Sequence, residues 1–148
     1  MFDDVLERAT VRLEPVFLLV ARLCFAALFL PSGIRKITGV NEFVQSLAQR
    51  GVPAPTVLGW IGAVAEFVGP ILLAIGLKTR AAALLMAVFT LIATAIAHRF
   101  WEYPDAQRVA QQSNFLKNLC IFGGLLVLSA RGAGPFSIDA MLGRRGRG

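Results

Sequence analysis

The sequence predicts an all-α integral membrane protein, a four-helix bundle with a short interfacial helix between the first two spans. Three observations predict it. Residues 15–34, 56–76, 79–98 and 114–131 form four apolar stretches, each near the length of about 20 residues that a membrane helix needs. Apolar residues make up 56% of the 148-residue chain and charged residues only 16%, with mean hydropathy +0.66. A soluble domain is about a quarter charged, and a chain this short cannot hide the excess apolar surface in one core. The third observation is a carboxylate, Glu66, in the middle of the second stretch. It stands on a face of small residues that favours contact with other helices.

The elements follow in order. Residues 1–14 carry Asp3, Asp4, Glu7 and Glu14 against Arg8 and Arg12 and are read as a cytoplasmic segment. They hold neither a net-positive n-region nor a small-residue cleavage site, so the first span is expected to stay as an anchor. In the link of residues 35–55, Phe43, Val44, Leu47 and Ala48 recur at helical spacing, which predicts a short helix lying in the interface. Gly51-Val52-Pro53-Ala54-Pro55 breaks it and delivers the chain to the second span. Leu77-Lys78 is too short for anything but a tight hairpin between spans two and three. The link of residues 99–113 is polar and opens with Trp101 and Tyr103, aromatics that favour the headgroup level. Residues 15–131 thus make one domain, and the basic tail of residues 132–148 is expected to be loose beyond Met141.

Lys and Arg counts give the orientation. One side collects Arg8, Arg12, Lys78, Arg80, Arg131, Arg144, Arg145 and Arg147, and the other Arg35, Lys36, Arg50, Arg99 and Arg108, with Lys117 nearby. The excess places both termini in the cytoplasm. These charges flank apolar blocks and form no solvated basic face, so no nucleic-acid partner is expected and the bilayer itself is the first partner. Cys24 and Cys120 sit in apolar runs with no CxxC and no metal-ligand cluster.

The candidate site rests on what is costly to bury. A carboxylate at mid-membrane costs on the order of 3 kcal/mol, so Glu66 is read as functional or paired. Gly59, Gly62, Ala63 and Gly69 share its face, and Pro70 lacks the N–H that would bond the Glu66 carbonyl. Counting from the span ends puts Arg22 about 18 Å and Glu66 about 15 Å deep, which predicts an ion pair between them. Thr90, Thr94 and His98 form a polar stripe on span three, with the threonines expected to hydrogen-bond to neighbouring helices. Lys117 and Asn118 open span four, where Lys117 shares a face with Ile121 and Gly124. Ser32, Lys36, Glu66, His98, Lys117 and Asn118 are therefore expected to meet in one cavity. A lone histidine excludes bis-His haem ligation, and no flavin, nucleotide or cluster motif is present.

Several strings together carry a resemblance. Ser32-Gly33-Ile34-Arg35-Lys36, the Gly51–Pro55 turn, Glu66 with Gly69, and Thr79-Arg80-Ala81-Ala82-Ala83-Leu84 begin it. His98, Phe115-Leu116-Lys117-Asn118, Gly123-Gly124 and Gly134-Pro135-Phe136-Ser137-Ile138-Asp139 complete it. In order and spacing they resemble the DoxX family of four-helix bacterial membrane proteins. The resemblance implies residence in the inner membrane and kinship with the membrane subunit of a thiosulfate:quinone oxidoreductase and with proteins of redox stress. It places Glu66, His98, Lys117 and Asn118 on the family's recurrent polar positions. Pro70 departs from a common glycine, and Cys120 from a small apolar residue.

The expectation is a membrane subunit of a redox system that binds a quinone or a similar carbonyl or hydroxyl compound. Glu66 would be the proton-exchanging group, and Arg22, Lys36, His98, Lys117 and Asn118 the ligand-binding ones. Electrons would come from a soluble enzyme partner. The alternatives are a scaffold that docks such an enzyme without a ligand, and a permease subunit, to which a homo-oligomer would give a pathway.

Overall fold

The computed structural model describes residues 2–145. They form α1 (Phe2–Thr38), α2 (Val40–Gln49), α3 (Pro55–Ile75), α4 (Thr79–Ala97), a 3₁₀ turn (Phe100–Glu102), α5 (Asp105–Arg131) and α6 (Ile138–Arg145). No strand occurs among the described residues. Helices α1, α3, α4 and α5 are each long and apolar enough to cross a membrane, so the all-α membrane bundle expected from the sequence is what forms. Helix α1 packs on α3, α3 on α4, and α4 on α5. The core runs between them through Phe29, Leu73, Ala83, Met86, Ala87, Leu125 and Leu128.

Small residues set how close the helices come. A Cβ on Gly33 would fall 2.3 Å from the carbonyl oxygen of Glu66, so α1 touches the α3 backbone there and only glycine fits. That carbonyl is the one Pro70 cannot bond, and the Gly33 backbone covers it. Further along α3, a Cβ on Gly69 would fall 2.4 Å from Met86 Sδ, which brings α4 equally close. These approaches carry the packing that lipid-embedded helices depend on.

The interfacial helix is α2. Its Leu47 is buried, and Val44 and Phe43 lie against Gly59 and Gly62 of α3, while Asn41, Glu42, Gln45 and Gln49 face outward. The glycine face of α3 therefore receives α2 at Gly59 and Gly62 and α4 at Gly62 and Gly69, while α1 reaches the α3 backbone through its own Gly33.

Three boundaries differ from the sequence reading. Helix α1 has 37 residues and passes through Pro15 without a break. At 1.5 Å per residue it is about 55 Å long against a hydrocarbon core of about 30 Å. Residues 3–13 therefore project from the bundle as exposed helix and do not form a separate segment. Helix α5 begins at Asp105, nine residues before the apolar stretch, because the polar residues 105–113 carry no β-branched run or Gly to interrupt it. The tail is helical through Arg145 in α6, so the part of it between Met141 and Arg145 is ordered secondary structure; residues 146–148 lie outside the described residues. Ser137 caps α6, its hydroxyl accepting the Ala140 N–H at 3.1 Å.

Candidate functional site

Helices α1, α3, α4 and α5 line a half-open cavity of about 310 Å³ toward the α2 end of the bundle. Its polar wall is Ser32 and Lys36 from α1, Glu66 from α3, Thr90 and His98 from α4 and its end, and Asn118 from α5; Phe29 and Phe89 complete it. The spacing of Ser32 and Lys36, four residues apart, places both on one helix face.

The central contact is an ion pair between Lys36 Nζ and Glu66 Oε2. Glu66 is nearly sealed, with 5% of its side chain exposed, and Lys36 keeps 26%. The ammonium also lies 5.1 Å from the Phe43 ring centroid and 5.9 Å from that of Phe89. At that range each ring face attracts the cation. Lys36 is thus held by one carboxylate and two aromatic rings, and a buried carboxylate keeps its charge only with such company.

His98 ends α4. Its Nδ1 lies 2.8 Å from Gln111 Oε1. An amide oxygen only accepts, so Nδ1 is the donor of this bond. Gln111 was not among the residues the sequence singled out. It lies seven residues before Asn118 on the same face of α5, and extending the helix backward past residue 114 would have revealed it. Thr90 and Thr94 do not bridge helices as expected. Their hydroxyls donate to Met86 O at 2.7 Å and Thr90 O at 2.6 Å within α4, a local bond that uses their single donor.

Two predicted site residues lie elsewhere. Lys117 is exposed and absent from the cavity wall. The inner face of α5 runs through Asn118, Ile121, Leu125 and Leu128, and Lys117, about 100° from Asn118, stands on its flank. Arg22 does not pair with Glu66. It is fully buried at the opposite end of the bundle, where its guanidinium lies over Gly76 and Nη2 donates to the carbonyl of Phe136. The register explains the miss. Gly33 faces Glu66 and Arg22 faces Gly76, so the two charges are eleven residues of α1 apart in height, about 16 Å. The depth count failed because α3 starts about a turn and a half beyond the end of α1, alongside α2, and the two spans share no common zero.

At that opposite end the segment after α5 folds back over the bundle. Asp139 carboxylate oxygens accept the backbone N–H of Lys78 at 2.7 Å and of Thr79 at 2.9 Å, and the Asp139 N–H donates to Gly76 O at 2.9 Å. Gly76 takes φ 68° as it ends α3, a left-handed turn that glycine accepts without strain. Partial burial pushes the Asp139 carboxyl up, but the N–H groups of Thr79 and Lys78 outweigh it and hold its pKa below the usual carboxylate range. Arg22 Nε and Nη1 are buried without a hydrogen bond of their own, with the Asp139 carboxylate the nearby opposite charge. Among the described residues no group of three His, Cys, Asp or Glu is placed to hold a metal, and Cys24 and Cys120 are both exposed on the bundle surface.

Fold and cavity define a four-span helical membrane protein with a small polar chamber near one membrane face. The profile of the DoxX family matches residues 17–99, and the chain belongs to that family. It is 34% identical to the inner membrane protein YphA of Escherichia coli over 85% of this chain and 90% of that one. It is 36% identical to the inner membrane protein YqjF of the same organism over 90% and 98%. The ER-derived vesicles protein ERV29 of Saccharomyces cerevisiae is 32% identical over 54% of this chain and 26% of its own length. No solved structure matches the chain.

Proposed function

We propose that the chain is the quinone-interacting membrane subunit of a redox system, resident in the inner membrane with both termini cytoplasmic. The observation that carries this reading is the buried Lys36–Glu66 pair in the wall of a small chamber that also presents His98 and Asn118. A quinone partitions into lipid and has two carbonyls that accept hydrogen bonds. Lys36 and the Asn118 amide can donate to them, and in this reading Glu66 exchanges a proton with Lys36 or with a reduced ring oxygen. Phe29 and Phe89 offer apolar walls for a ring. Residence in the inner membrane is supported by the two inner membrane relatives from Escherichia coli, and the orientation by the Lys and Arg count.

Electrons must come from elsewhere, since the sequence holds no haem, flavin or cluster motif. The exposed α1 helix over residues 3–13, with Asp3, Asp4, Glu7, Arg8 and Arg12 outside the bundle, favours a second role as the dock for a soluble redox enzyme. Docking alone, without a ligand, is the competing reading.

The test is quinone binding and proton uptake by the protein in lipid nanodiscs, native against Glu66→Gln. Loss of a charge-assisted contact of this type is worth about tenfold or more in affinity. Unchanged binding and unchanged proton uptake would reject the ligand reading and leave the dock.

A further inference from the structure

A second cavity, about 410 Å³, lies beside the polar chamber between α2, α3 and α4. Its lining is mainly apolar, with Leu47 of α2, Leu58 and Ile61 of α3, and Ile92 and Ile96 of α4, and Ser46 and Arg50 add polar groups on the α2 side. Two features set it apart from an ordinary crevice on a lipid-facing surface. It shares four wall residues with the chamber, namely Lys36, Phe89, Ala93 and Ala97. Its one cation at the inner end is Lys36, the same ammonium that grips Glu66. The two spaces are therefore separated by the Lys36 side chain from α1 and by Phe89, Ala93 and Ala97 from α4.

Resting on the quinone reading, we infer that the ligand is amphipathic, with its polar head at Lys36 and Glu66 and a single apolar chain lying in the α2–α3–α4 groove. The shared wall runs from Phe89 to Ala97, about 12 Å along α4, which fits the first part of a long chain, with the remainder in lipid. Ile61 and Ile92 are 59% and 54% exposed, so the groove opens sideways to the acyl region, and the ligand would come in laterally from the membrane. Lys36 would serve as the swinging partition. Its long side chain can follow an incoming head, and the Phe43 and Phe89 rings keep a cation at rest in the junction.

In a bilayer the chain gains little by leaving lipid for the groove, because both surroundings are apolar. The groove instead fixes the direction from which the head meets Glu66, and it selects tailed ligands over tail-less ones. An ordinary phospholipid acyl chain is the competing occupant.

The experiment uses the full-length protein in nanodiscs and two probes, a dimethoxy-methyl-benzoquinone bearing a decyl chain and the same head without it. Ile61→Trp and, independently, Ile92→Trp fill the groove from its two walls without touching the chamber. For each probe the variant-to-native affinity ratio is read, which cancels partitioning into lipid. The decyl probe is expected to weaken about tenfold in each variant, and the bare head to stay within about twofold. Equal ratios for the two probes would overturn the groove while leaving the quinone reading intact. So would a phospholipid that native mass spectrometry shows retained and undisplaced by the decyl probe. Failure of both probes to bind the native protein would instead remove the quinone reading itself.

Discussion

The bundle buries one charged group near each end and treats them in opposite ways. At one end Arg22 has no exposed surface and is covered by the returning segment through the carbonyl of Phe136. At the other end Glu66 is nearly as buried, but its partner Lys36 is partly open and stands between two cavities. The difference teaches that burial of a charge in a membrane bundle does not by itself mark a ligand site. What distinguishes the two is the partner. The Phe136 carbonyl and a strap that also carries Asp139 complete the first, whereas a long, partly exposed side chain beside two cavities completes the second.

The comparison breaks most sharply at Lys36. Lys36→Met should leave Glu66 as a buried, unpaired carboxylate and destabilise the protein by about 3–5 kcal/mol, read as a drop in thermal unfolding temperature in mild detergent. Adding Glu66→Gln should recover most of that loss. If Lys36→Met alone were neutral, the two ends would be equivalent and the pair would not be holding the bundle.

A smaller effect is expected at the sealed end. Asp139→Asn should weaken the clasp on the start of α4 by about 0.5–2 kcal/mol, the range of helix N-cap losses, and expose residues 134–145 to limited proteolysis while the spans stay intact. The native protein should show the same release in acid. The folded-state pKa of Asp139 is depressed, so its contribution is present above the unfolded carboxylate value and is lost as pH falls through the folded one. Proteolysis of the tail that does not rise in acid, or that rises equally in the variant, would detach Asp139 from the clasp.

The smallest effect sharpens the edge of the site. Lys117→Ala should change thermal stability by less than about 0.5 kcal/mol, as surface changes do, and leave quinone affinity unaltered. A loss of binding there would restore Lys117 to the chamber against the exposed position it occupies.

Much of the molecule was legible from the residues. The four spans, the α2 helix and the tight Leu77-Lys78 connection follow from hydropathy, periodicity and the Gly-Pro breakers, all of which are local. Ser32, Lys36, Glu66, His98 and Asn118 were placed in one cavity from the sequence and do line one. The partner of Glu66 was not legible, nor were the roles of Phe136, Asp139 and Gln111, because each depends on which residues of distant helices share a height.

The sequence by itself determined that the chain must live in lipid as helices and that Glu66 must face inward, since apolar composition and the cost of a bare charge leave no other arrangement. Only the tertiary structure decided that Lys36, and not Arg22, neutralises it. Helix periodicity fixes which face a residue occupies, but the vertical offset between two antiparallel helices is set by where their backbones can touch. Here Gly33 against the Glu66 carbonyl and Gly76 beneath Arg22 set that offset.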